Sequence, residues 1–145
     1  LGKTGAAYLD QGIKEYLKRL RHYTSCSIKT LRVKTKGTSD CRREEATVLM
    51  KGVPKGALKV VLDSRGKNLS SEELAELIGK WEVNGVRQVN YLIGGPDGHA
   101  DEIIQQADLL LSFSRMTFTH DMIRMLLLEQ LYRAYTIQAG EKYHK

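Results

Sequence analysis

The chain has 145 residues, 41% of them hydrophobic and 28% charged, with a formal net charge of +6. That is enough for one domain with a buried core, and no run of about 18 apolar residues supports a membrane span. The charge is uneven: residues 1–36 hold nine lysines and arginines against Asp10 and Glu15, a balance of +7, while the remaining 14 bases and 15 acids balance to −1. A basic end on a near-neutral body suits a polyanionic partner, because each phosphate contact releases condensed counterions, and equally suits a solvated basic helix face.

In chain order, Leu9, Ile13, Tyr16, Leu17 and Leu20 recur at helical spacing and predict an amphipathic helix over residues 5–22. The opening residues lack the basic, apolar and small-residue regions of a signal peptide. "SIKTLRV", residues 27–33, alternates apolar and polar side chains and reads as a strand, with "KTKGTSD" after it as a loop. "CRREEATVLMKG" is a helix ended by Gly52, and "ALKVVLD" a short buried strand closed by the turn "SRGKN". Ser70 and Glu73 form a capping box ahead of a helix striped by Leu74, Leu77, Ile78 and Trp81. "QVNYLI" is the next strand, "ADEIIQQAD" a helix, "LLLSFS" a strand and "HDMIRMLLLEQLYRAYTI" a long final helix. The alternation implies an α/β fold: a parallel sheet with helices on both faces, in a single domain over residues 1–145 without linker or repeat.

Cys26 and Cys41 have no partner spacing for zinc and read as reduced thiols of a cytoplasmic protein, with no metal expected. In parallel sheets ligands lie beyond the carboxyl ends of the strands. Three such ends carry a possible pocket: Asp63–Gly66, the glycines at 94 and 95, and Ser112–Phe118. "YLIGGPDG" lacks the GK[ST] ending of a phosphate loop, and its Gly94, Gly95, Gly98 spacing is not that of a dinucleotide fold. By itself a glycine pair after a strand is turn chemistry as readily as a ligand cradle. Asp63 reads as a ribose acceptor or a plain turn acid, and Arg124 and Arg133 as phosphate contacts or helix ion pairs. His120 reads as a capping or packing residue rather than a catalyst, and His22 and His99 carry no distinguishing signal.

"YLIGGPDG", then "LSFSRMTFTHDMIRMLLLEQLYRAY", then the terminal "GEKYHK" resemble the RlmH family, from residue 1 to the end and most densely from 58 onward. These are SPOUT-class methyltransferases. The resemblance implies a trefoil knot near the C-terminus, S-adenosyl-L-methionine as cofactor, and methylation of N3 of a pseudouridine in large-subunit (23S) ribosomal RNA of the ribosome. It places the cofactor on Leu62, Gly94 and Phe113, Ser114, Arg115, Met116, Thr117 and Phe118. It makes the terminal Tyr143, His144 and Lys145 catalytic, offering a stacking ring, a titratable imidazole and a cation. It also implies a homodimer, which fits a last helix with too many apolar groups for one stripe: Met122, Ile123, Met125, Leu126, Leu127, Leu128, Leu131 and Tyr135. Family members open with an apolar strand ahead of a pair like Gly2-Lys3; that strand is expected to be missing here. The alternative reading is a non-catalytic RNA-binding or ribosome-assembly protein on the same fold.

Overall fold

The structure is a computed structural model that describes residues 5–33, 39–95 and 98–144. The expectation about an opening strand falls outside the described residues. Eight elements follow in order: α1 (Ala7–Leu20), α2 (Ser39–Lys51), β1 (Leu58–Asn68), α3 (Ser71–Val83), β2 (Val89–Ile93), α4 (Asp101–Gln105), β3 (Leu109–Ser112) and α5 (His120–Gln138). They belong to two compact units, one built from residues 30–68 and 86–120, the other from 5–29, 69–85 and 121–144. The chain passes between the units at residues 29–30, 68–69, 85–86 and 120–121.

The first unit is a three-stranded parallel sheet flanked by helices, in the order β2-β1-β3. Short runs of Val, Leu and Ile bounded by turns suit strands buried in a parallel sheet, and Val60 and Val61 are fully buried. Ala46 and Leu49 of α2 meet Val61, Leu92, Ala100 and Ile103, so α2 and α4 cover one face. The start of β3 is tied to β1: Lys59 donates its backbone N–H to Asp108 Oδ2 at 2.7 Å, and Asp108 returns its own to Lys59 O at 2.9 Å.

Two expectations are corrected. Residues 27–33 form no strand. Their alternation has no face to bury against, since Ile28 is 40% exposed and only Leu31 packs on the α2/α4 core. Among the described residues the sheet therefore has three strands. Nor does "SRGKN" simply close a strand, for β1 runs on to Asn68. Leu62 and Lys67 both pair with Leu111, with a break in register between them, and Asn68 Nδ2 donates to Ser112 O at 3.0 Å. A Cβ on Gly66 would stand 2.7 Å from the backbone of Leu110 and Leu111, so only glycine lets the chain pass β3 that closely.

The second unit is helical. Leu9, Ile13 and Leu20 of α1, Leu74, Ala75 and Ile78 of α3, and Leu127, Leu128, Leu131 and Ala134 of α5 are buried. The capping box stands as expected: Ser70 Oγ accepts from Glu73 N at 3.1 Å, and Glu73 Oε2 accepts from Ser70 N at 2.7 Å. Leu77 and Trp81 are half-buried. Ser71 Oγ donates to Gln130 Oε1, and Gln138 Nε2 to Ala75 O, both at 2.7 Å, joining α3 to α5. Gly12 brings α1 against Met125.

Candidate functional site

The parallel register sets the candidate site. Leu62 pairs with Ile93 on one side and Leu111 on the other. Gly94 and Ser112 follow those partners directly, so Leu62, after which the register of β1 breaks, comes beside the glycine turn and the start of the 113–118 segment at the carboxyl ends of β2 and β3. Beyond β3, Ser112 Oγ donates to Ser114 O at 2.9 Å, and Ser114 Oγ accepts from Met116 N at 3.0 Å, folding the segment into a tight serine turn. Phe113 and Ser114 are half-buried, whereas Arg115, Met116, Thr117 and Phe118 are exposed, Met116 by 74%.

The bare backbone at the glycines is used by the chain itself. A Cβ on Gly94 would lie 3.2 Å from His99 Cε1 and Nε2, so the imidazole rests over that glycine. A Cβ on Gly95 would lie 2.7 Å from Glu45 Oε1, placing a buried carboxylate of α2 over the next. Neither residue was legible in the sequence as part of this region. Glu45 looks like one more charge in a polar helix, although Cys41, Glu45 and Leu49 share a helical stripe that could have hinted at burial. Burial pushes the His99 pKa down, against a smaller pull from the Asp63 carboxylate. Asp63 itself is engaged: its oxygens accept from Arg65 Nε at 2.9 Å, Nη2 at 3.0 Å and the backbone N–H at 3.0 Å, which together hold its pKa low. That makes it the turn acid of the two readings.

The C-terminal residues belong to the other unit and are tied down there. Tyr143 stacks edge-on against Tyr132 at 4.8 Å, lies under the Arg133 guanidinium at 4.8 Å, and places its hydroxyl 3.2 Å from Tyr16 Oη and 3.1 Å from Glu129 Oε1. Burial and these contacts raise its pKa, so the phenol stays protonated. His144 has Nε2 2.8 Å from Glu72 Oε1 and Nδ1 3.4 Å from Arg133 Nη1. An arginine only donates, so the pair of contacts fits one neutral tautomer, with the proton on Nε2 toward Glu72. Lys145 lies outside the described residues. Arg124 pairs with Asp121 at 3.0 Å and Arg133 with Glu129, the helix ion pairs rather than open phosphate contacts. Among the described residues no group of three or more His, Cys, Asp or Glu could hold a metal ion, and no helix is long and apolar enough to cross a membrane.

A short parallel sheet with a glycine turn and a serine turn at its strand ends is the framework on which the comparisons bear. The family model described as "Predicted SPOUT methyltransferase" matches residues 1–144, and the chain belongs to that family. It is 55% identical to the ribosomal RNA large subunit methyltransferase H of Desulfotalea psychrophila, over 100% of this chain and 95% of that protein. Proteins of the same name from Geobacter metallireducens (45%, covering 99% and 94%) and Halothermothrix orenii (41%, covering 100% and 96%) are also similar.

Proposed function

We propose that this protein transfers the methyl group of S-adenosyl-L-methionine to N3 of a pseudouridine in large-subunit ribosomal RNA, as a homodimer in the cytoplasm. Membership of a methyltransferase family, with relatives named as ribosomal RNA methyltransferases, carries the reaction class. A non-catalytic RNA-binding role on the same fold is not favoured by either.

The observation that supports the site is the register that brings Leu62 beside Gly94 and the start of the 113–118 segment at the carboxyl ends of β2 and β3. The residues suit the cofactor. An adenosyl group needs an apolar slot beside polar atoms that can pair with its edge. Leu62, Phe113 and Met116 supply apolar surface, and His99 supplies buried ring nitrogens without hydrogen-bond partners among the described residues. Bound there, the sulfonium supplies a methyl carbon already activated for in-line displacement. The protein's part is to hold the RNA base in line and manage the N3 proton. Tyr143, kept protonated, is no base, which leaves His144 to take the proton and Lys145 to lend positive charge. The two pairings of Leu111, with Gly66 pressed against β3, support a knotted path through this segment. Exposed Met116 and Phe118 and the half-buried Met122, Ile123, Met125 and Leu126 support a second copy as partner.

The test is a methylation assay on ribosomes lacking the modification, with labelled S-adenosylmethionine and mapping of the labelled nucleotide. Label at N3 of a large-subunit pseudouridine is the expected result. Cofactor binding with no transfer to any ribosomal RNA would overturn the substrate.

A further inference from the structure

We propose that His99 is a cofactor-binding residue whose imidazole, seated over Gly94, hydrogen-bonds the adenosyl part of the bound methyl donor. The inference rests on the methyltransferase reading above and adds a polar contact to an otherwise apolar and backbone site.

His99 is 6% exposed, and among the described residues neither Nδ1 nor Nε2 has a hydrogen-bond partner. The carbonyls of Leu62 and Leu92 approach the ring closely enough to favour its charged form, without the geometry of a hydrogen bond. Buried polar groups are nearly always paired, and an orphan costs its desolvation outright. Such a cost persists where something else repays it, and at a ligand site that is the ligand. The location agrees. The ring covers the glycine that follows β2 and sits near the Leu62 carbonyl, at the strand ends where ligands of parallel sheets bind. A neutral imidazole offers one N–H donor and one acceptor nitrogen. The ribose hydroxyls and the adenine edge of an adenosyl group present complements to both. A leucine would fill the same space and pack better, so a packing role gives no reason for histidine here.

Calorimetric titration of the wild-type, His99→Leu and His99→Gln proteins with S-adenosylmethionine and its demethylated product, beside thermal melts of each unliganded protein, tests this. His99→Leu is expected to melt at the same or a higher temperature, because an unpaired polar group is removed, while binding both ligands about tenfold more weakly, the worth of one hydrogen bond. His99→Gln should recover most of the affinity. Equal affinity in wild-type and His99→Leu overturns the inference and leaves the methyltransferase reading intact. A His99→Leu protein that melts well below wild-type makes the ring a packing group and overturns it too. A folded wild-type chain that binds neither ligand overturns the methyltransferase reading, and this inference with it.

Discussion

At the scale of single residues, burial decides what the sequence could show. Leu62, Gly94 and the "FSRMTF" segment were singled out through family motifs, and the register of the sheet sets Leu62 beside Gly94 and the start of that segment. His99 was not, because nothing in "GPDGHADEI" says which side chain turns inward; only the fold puts an imidazole over a glycine. Its burial has a consequence for stability. The folded-state pKa lies below the ordinary 6.5, so as pH falls the unfolded chain takes up the proton first. The stability His99 permits is therefore complete above about pH 6.5 and is lost as pH falls toward the depressed value. Asp63 titrates below this window, since Arg65 holds its pKa under 3.8, and Glu45 faces the neighbouring glycine. Melting curves between about pH 7.5 and 5.5 should show His99→Leu gaining on wild-type as the pH drops. A constant difference across that range would mean that the ring takes up its proton equally well in the folded chain.

At the scale of elements, periodicity located every helix and the three real strands, because each keeps one apolar face or run against a core. It failed where a pattern had no surface to meet. "SIKTLRV" alternates, yet Leu31 alone reaches the core and the segment joins no ladder. It failed again at "SRGKN", where the turn chemistry is genuine but the chain goes on to pair with β3 a second time. Pairing between residues more than 40 positions apart is a tertiary fact that no local signal encodes. Gly66 is the position on which that passage depends. Its missing Cβ would meet backbone, which cannot swing aside as a flexible side chain can. Gly66→Ala should thus destabilise the protein by about 3 kcal/mol or more, with the strand ends spread apart. Chemical denaturation would measure it, and a loss under about 1 kcal/mol would show that β3 yields at little cost.

At the scale of the whole molecule, the question is what a second copy and the C-terminal residues contribute. Apolar groups on α5 exceed one buried stripe, yet none is strongly exposed; the exposed large apolar side chains include Met116 and Phe118 in the candidate site. A homodimer should appear in light scattering as about twice 16.4 kDa. A monomer at micromolar concentration would leave those side chains to be covered by RNA alone. The C-terminus calls for more than a truncation. A tail with one apolar residue reads from sequence as separable from the core, but Tyr143 is packed on Tyr132 and Arg133 and bonded to Tyr16 and Glu129. Deleting residues 143–145 should cost about 2 kcal/mol of stability through the ring contact and its hydrogen bonds, so lost activity would not isolate a catalytic role. His144→Ala does isolate it. Among the described residues the imidazole meets Glu72 and Arg133 by hydrogen bond, at the rim of its unit, so its loss should leave the melting temperature and S-adenosylmethionine affinity nearly unchanged. If Nδ1 leaves Arg133 to take the N3 proton, transfer should slow by about 100-fold or more, the usual worth of a positioned base. Raising the pH should then restore part of the lost rate, because a pseudouridine already ionised needs no proton acceptor. A His144→Ala protein that methylates at the wild-type rate would assign the ring to anchoring the C-terminus through Glu72 and return the proton to solvent.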